Sequence, residues 1–242
     1  MKKVVFPFLS ILMLGLSGCL DKGGDNYSSY SSVPAIVQID YTTLQPVLIT
    51  SLGKFIAPEL QSALYTDLNE GDAILTNFSI YDNLQTSDEN IIVSNVLWVK
   101  IGQTSPRSTS GGGSSSDNFD LQNGGMKIEG MDIYDIIQYD YNKTVMFLVF
   151  THTTFSDQKF DYEMTYDYNE NTDIYIRAKK NGTASQVTAT FSYLYAFDMS
   201  SYLMTLSQGG KKVSFNLKYK TGEEDGKDVY EDYDKLVEIE LE

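Results

Sequence analysis

The sequence predicts an all-β protein in which a small barrel is followed by an antiparallel β-sandwich, both carried behind an export leader. Eighteen Tyr and 12 Phe accompany many Thr, Val and Ile, a composition that favours pleated surfaces. The apolar residues fall in short alternating runs divided by Gly, Asn and Asp, and helical spacing is scarce. The chain also opens on two lysines and an apolar stretch ending at its only cysteine.

Lys2 and Lys3, the apolar run to Leu16, and Ser17-Gly18 are the basic, apolar and small-residue parts of a secretory leader. The run is shorter than the roughly 20 residues a membrane span requires. Residues 1–18 are therefore read as a signal peptide. Leu16-Ser17-Gly18-Cys19 resembles the lipobox of bacterial lipoproteins. That resemblance implies cleavage before Cys19, a diacylglyceryl thioether on its sulfur, and a further acyl chain such as palmitate on the new amino terminus. Two or more chains at about 0.8 kcal/mol per buried methylene anchor a protein stably. A lone cysteine supplies no disulfide framework, so the fold rests on its own core.

Loss of the leader takes two lysines from the 18 basic residues and leaves them against 33 acidic ones, a net charge of −17. Such a surface repels phosphate backbones and anionic headgroups, so no nucleic-acid partner is expected. Residues 19–34, with Gly23-Gly24 and Tyr27-Ser28-Ser29-Tyr30-Ser31-Ser32, read as a lipidated tether. Asp21 and Asp25 resemble the acidic residues that accompany surface export in Bacteroidetes lipoproteins, which implies an outer-membrane location with exposure at the cell surface.

Strands are expected at Ala35–Ile39, Pro46–Thr50, Lys54–Pro58, Ala73–Tyr81 and Ile91–Ile101. In the last of these, Val93, Leu97 and Val99 fall on one face and Val96 and Trp98 on the other. Five short strands suit a small barrel, placed at 35–140. The Gly/Ser tract at 104–116 has little that can pack and reads as a flexible excursion within that domain or as the link to the next. The segments Met126–Met131 and Asp132–Tyr139 would then return to the barrel. From 141 to 242, the apolar run Val145–Phe150 reads as a strand covered on both faces. Phe160–Tyr166, Ile174–Ala178, Val187–Phe197, Val213–Tyr219 and Leu236–Leu241 complete a sandwich, with hairpin turns at Asn181-Gly182 and Gly209-Gly210.

The lipobox, the tether, the Leu48-Ile49-Thr50 and Asn77-Phe78-Ser79-Ile80 strands, and Asp161-Tyr162, Asp173-Ile174-Tyr175-Ile176 and Asp198-Met199 together resemble the NigD-like lipoproteins of Bacteroidetes. The resemblance implies an OB-like first domain and a C-terminal β-sandwich. It also implies a bacteriocin-associated or protective role, with no catalytic residues to transfer.

Catalytic motifs are absent from the sequence. His152 is the only histidine, so a histidine-rich metal site is impossible, and no Gly-x-Ser-x-Gly elbow accompanies it. Asp167, Asn169, Asn171 and Asp173 place oxygen ligands at alternate positions, as in a calcium loop. Thr172 stands where that loop needs glycine and Ala178 where it needs a bidentate Glu. Tyr162, Tyr166 and Tyr168 recur at even spacings, so they share a strand face. Core packing is the plain reading of that face, and a platform for sugar rings, with Trp98 as its counterpart in the first domain, is the functional one. The expected function is non-enzymatic, with two β modules presented to a protein partner and no cofactor. A glycan-binding lipoprotein and a carboxylate-dependent hydrolase are the alternatives.

Overall fold

The computed structural model describes residues 26–85, 91–109, 125–140, 143–167, 169, 172–182 and 188–241. The leader, Cys19, Tyr168, Asn171 and residues 110–124 lie outside the described residues. Two compact units divide between Lys100 and Ile101.

The first unit is a barrel of β1 (Tyr27–Asp40), β2 (Gln45–Thr50), β3 (Gly53–Ile56), β4 (Ala73–Tyr81) and β5 (Ile91–Lys100). It closes in the order β1-β2-β3-β5-β4, with β3 and β5 parallel, which is the arrangement of an OB fold. Alternation decides its interior: Val33, Ala35 and Val37 of β1 meet Leu48, Phe55, Ile74, Phe78 and Val93 in one apolar cluster. A 3-10 turn at Pro58–Ser62 buries Leu60 beside them.

The expected tether is corrected here, because residues 27–34 are the first half of β1. Tyr27 pairs with Tyr81 and Tyr30 with Phe78, their rings stacked at 5.3 and 5.1 Å. Serine is polar but short enough for a ladder, and the two tyrosines supply the cross-strand contacts that hold it.

A second correction concerns β5. Asn77 pairs with Leu97 and Ser79 with Ser94, so Asn95 and Val96 together oppose Phe78. Asn95 takes a φ of 56°, a left-handed conformation that asparagine tolerates well. This bulge shifts the alternation by one residue. Val93 stays inside at 0% exposure, whereas Leu97 and Val99 turn outward at 69% and 68%. Val96 and Trp98 pack on the core in their place.

The second unit begins with β6 (Gly102–Thr104) and β7 (Arg107–Thr109), followed by β8 (Gly125–Met126), β9 (Gly130–Tyr139), β10 (Lys143–Phe155), β11 (Lys159–Asp167) and β12 (Asp173–Asn181). Then come β13 (Thr188–Asp198), α1 (Ser200–Ser207), β14 (Lys212–Glu224), β15 (Lys227–Asp232) and β16 (Val237–Glu240). One sheet runs β6-β13-β10-β9; the other runs β15-β14-β12-β11-β7, with β16 on β14 and β8 on β12. Met146, Leu148 and Phe150 of β10 meet Tyr162, Met164, Ile174, Ile176 and Leu217 of the facing sheet in one core.

The barrel therefore ends at Lys100, not at 140, since β6 and β9 are strands of the sandwich. Thr104 and Arg107–Thr109, expected as flexible coil, are ladder residues. Three pairings, β6 with β13, β7 with β11 and β12 with β14, are parallel, so the sheets are mixed. Asn181-Gly182 joins strands of different sheets, and Gly209-Gly210 follows a helix no periodicity signalled; neither is a two-residue hairpin. Gly102 is required by close approach, because an added Cβ would stand 2.3 Å from the Tyr195 ring.

Candidate functional site

Burial removes Tyr162 and Tyr166 from the tyrosine platform. Tyr162 is 4% exposed and stacks on Phe150 at 4.1 Å, and Tyr166 is 9% exposed and lies 4.8 Å from Tyr202 of α1. Their shared strand face is the inner one, so sugar rings have no access to it. Trp98 is half-buried against the barrel core, in the other unit.

His152 sits within that same core. Its Nδ1 lies 3.0 Å from the Lys127 carbonyl and its Nε2 lies 2.9 Å from the Tyr162 hydroxyl. A carbonyl only accepts, so Nδ1 carries the proton and the Tyr162 hydroxyl donates to Nε2. Phe160 stacks on the ring at 4.2 Å. Burial is the main cause that lowers its pKa to about 4, against smaller upward pulls from the Lys127 carbonyl and Glu129. The imidazole is neutral at pH 7 and occupied on both nitrogens.

The calcium-loop reading fails at Asp173. Lys218 Nζ stands 2.7 Å from one of its oxygens, and the Asn216 amide donates to the other at 2.8 Å. Burial pushes this carboxyl up, but the bonds from Lys218 and Asn216 outweigh it and hold its pKa below the usual value. Asp167 accepts the Asn169 backbone N–H at 2.8 Å, as in an Asx turn. Among the described residues no group of three or more His, Cys, Asp and Glu is placed to hold a metal. Millimolar calcium is therefore expected to leave the melting temperature unchanged, and a rise in differential scanning fluorimetry would contradict this.

A buried charge network went unseen in the sequence. Arg177 of β12 and Lys220 of β14 are both 0% exposed. Arg177 Nε donates to Asp228 at 2.9 Å, and its Nη1 reaches Thr165 at 3.1 Å and Glu163 at 3.4 Å. Lys220 bonds Asp228 at 2.5 Å and Glu223 at 2.6 Å, and Arg107 closes on Glu163 at 2.6 Å. Tyr230 donates to Asp228 at 2.9 Å, and its ring lies 5.3 Å from the Arg177 guanidinium. Burial raises the Asp228 carboxyl, yet hydrogen bonds from Lys220, Arg177 and Tyr230 prevail and keep it ionised below the usual carboxylate range. Each buried cation has carboxylate partners, so the network fastens five strands. The sign of a strand's outward residues is legible in sequence; that something covers them is not. Gly222, at the register shift of β14 against β15, is the one residue type there that marks an irregular strand.

The remaining feature is an exposed aliphatic row on the barrel. Leu97 and Val99 project from the outer face of β5, and Val99 pairs directly with the half-buried Leu75 of β4. Glu59 of the 3-10 turn stands beside them, its carboxylate accepting the N–H groups of Asn95 and Val96 at 3.0 and 2.9 Å.

No protein-family model matches the sequence, and no curated protein does. Among solved structures, a proposed toxin-related protein from Parabacteroides distasonis has a TM-score of 0.53 at 16% identity, over 86% of this chain and 93% of its own. A proposed lipoprotein from Bacteroides fragilis has a TM-score of 0.51 at 14% identity, over 89% and 99%. These two share the fold. A NigD-like immunity protein from Bacteroides caccae is similar over 86% of this chain and 92% of its own, with a TM-score of 0.46 at 11% identity.

Proposed function

We propose that this chain is a non-enzymatic envelope lipoprotein, anchored through acylated Cys19 in the outer membrane, that binds a protein partner on the outer face of its barrel. The observation that carries the reading is the Leu97, Val99 and Leu75 row. Isolated exposed aliphatics are ordinary, but neighbours on paired strands form a surface that association would dry. The lipobox at Leu16–Cys19 supports the anchor, and the acidic balance argues against nucleic acid as the partner. Tyr162 and Tyr166, which would have served a glycan, lie in the core.

Two measurements in cells test this. Cys19→Ser is expected to move the chain to the soluble fraction unacylated. A photo-reactive residue at position 97 is expected to yield one discrete protein adduct, which the same group at Lys218 does not give. Binding on a glycan array together with no adduct at 97 would overturn the reading.

A further inference from the structure

The edge of β5 beside that row carries a more specific inference. At the bulge, the Val96 N–H turns away from β4 toward Glu59. Ladder groups alternate, so the peptide groups of Leu97 and Val99 face β4 and those of Trp98 and Lys100 face the opposite side. The other flank of β4 agrees: Val37 N–H donates to the Asp72 carbonyl at 3.0 Å, which sets residues 74 and 76 toward β1 and 75 and 77 toward β5. β3 pairs with β5 only at Ile91 and Ile92. Among the described residues, no strand lies against Leu97–Lys100 on the side away from β4.

Proteins generally shield such an edge with proline, an outward charge, or a covering loop. Here Leu97 and Val99 are aliphatic, and the Lys100 ammonium is turned to Asp72 at 2.6 Å. The shield stops at Val96, where Glu59 caps the last N–H it reaches.

Charge selects the occupant. The described barrel residues carry Asp40, Glu59, Asp67, Glu70, Asp72 and Asp82 against Lys54 and Lys100, and both lysines are paired with aspartates. Glu59, at the start of the open stretch, meets no cation among the described residues. A second copy of this chain would bring the same negative field to the edge and be repelled. We propose that Leu97–Lys100 accepts an extended, lysine- or arginine-bearing segment of the partner protein as an added strand. Its backbone would pair with Trp98 and Lys100, alternate apolar side chains would cover Leu97 and Val99, and a cationic one would meet Glu59. This rests on the partner-binding reading above and specifies its mode.

The test uses the full-length protein in detergent micelles and three blocked eight-residue peptides that alternate Lys with Val, Glu with Val, and Lys with Pro. The Lys/Val peptide is expected to slow hydrogen exchange of the Trp98 and Lys100 amides at least tenfold. The Leu97→Lys, Val99→Lys double variant, altered only on an exposed face, is expected to weaken that peptide at least tenfold. The Glu/Val peptide, by charge, and the Lys/Pro peptide, lacking alternate N–H groups, are expected not to protect. The proposal is overturned by equal protection from the Glu/Val or Lys/Pro peptide, or by absent protection at Trp98 and Lys100. Protection that grows with protein concentration without peptide would make a second copy the occupant and overturn it too. Loss of protection while the adduct at position 97 persists would remove strand pairing and leave the partner surface standing.

Discussion

Asp228→Ala is expected to destabilise the sandwich by about 3–5 kcal/mol, the range seen when one partner of a buried ion pair is removed. The substitution strands two cations at once, because Arg177 and Lys220 are both fully buried and both bond this carboxylate. Thr165, Glu163 and Glu223 retain part of the coordination, which sets the lower end of the range. Exchange of the β12 and β14 amides reports the loss directly, since Trp98, the only tryptophan, lies in the other unit. A change below about 1 kcal/mol would show that the cations find water or other acceptors. The pH dependence follows from the lowered folded pKa of Asp228. A carboxyl that ionises more readily when folded adds stability that is complete above about pH 4, its unfolded value, and is lost as pH falls through the folded one.

His152 governs a different window. Its folded pKa of about 4 lies below its usual 6.5, so between those values the unfolded chain binds a proton that the folded chain does not. Stability then falls as pH falls, by about 1.4 kcal/mol per unit and about 3 kcal/mol in all, with the full contribution present above pH 6.5. A proton on Nε2 would confront the Tyr162 hydroxyl donor inside an aromatic core, so protonation and packing compete. The sandwich is expected to loosen between pH 6.5 and 4, before the carboxylate network titrates. Nuclear magnetic resonance of the His152 ring should give a midpoint near 4, and one near 6.5 would show the ring is hydrated. His152→Phe should flatten this part of the profile while leaving the more acidic loss from Asp228.

Much of the fold was legible, for a local reason. Ile74, Thr76, Phe78 and Ile80 recur at period two within Ala73–Tyr81, and β4 has those ends with Ile74, Thr76 and Phe78 inside. Val145–Phe150 is apolar on successive residues, and on β10 Val145 and Phe147 of one face are as fully buried as Met146, Leu148 and Phe150 of the other. The candidate sites were far less legible. Tyr162 and Tyr166 do share a face, but period two cannot say whether that face meets water or a second sheet. Asp167 and Asp173 have ligand-like spacing, yet Lys218, 45 residues beyond Asp173, had already taken the carboxylate.

Composition and alternation by themselves determined an all-β chain with a barrel ahead of a sandwich, because burying one face of a strand needs only its own residues. The tertiary structure decided everything that depends on a partner distant in sequence. It moved the unit boundary to Lys100, drew serine-rich residues 27–34 into a ladder, and enclosed Arg177 and Lys220 among carboxylates. It also turned Leu97 and Val99 outward, since a bulge exists only as a mismatch between two strands and neither strand's sequence contains it.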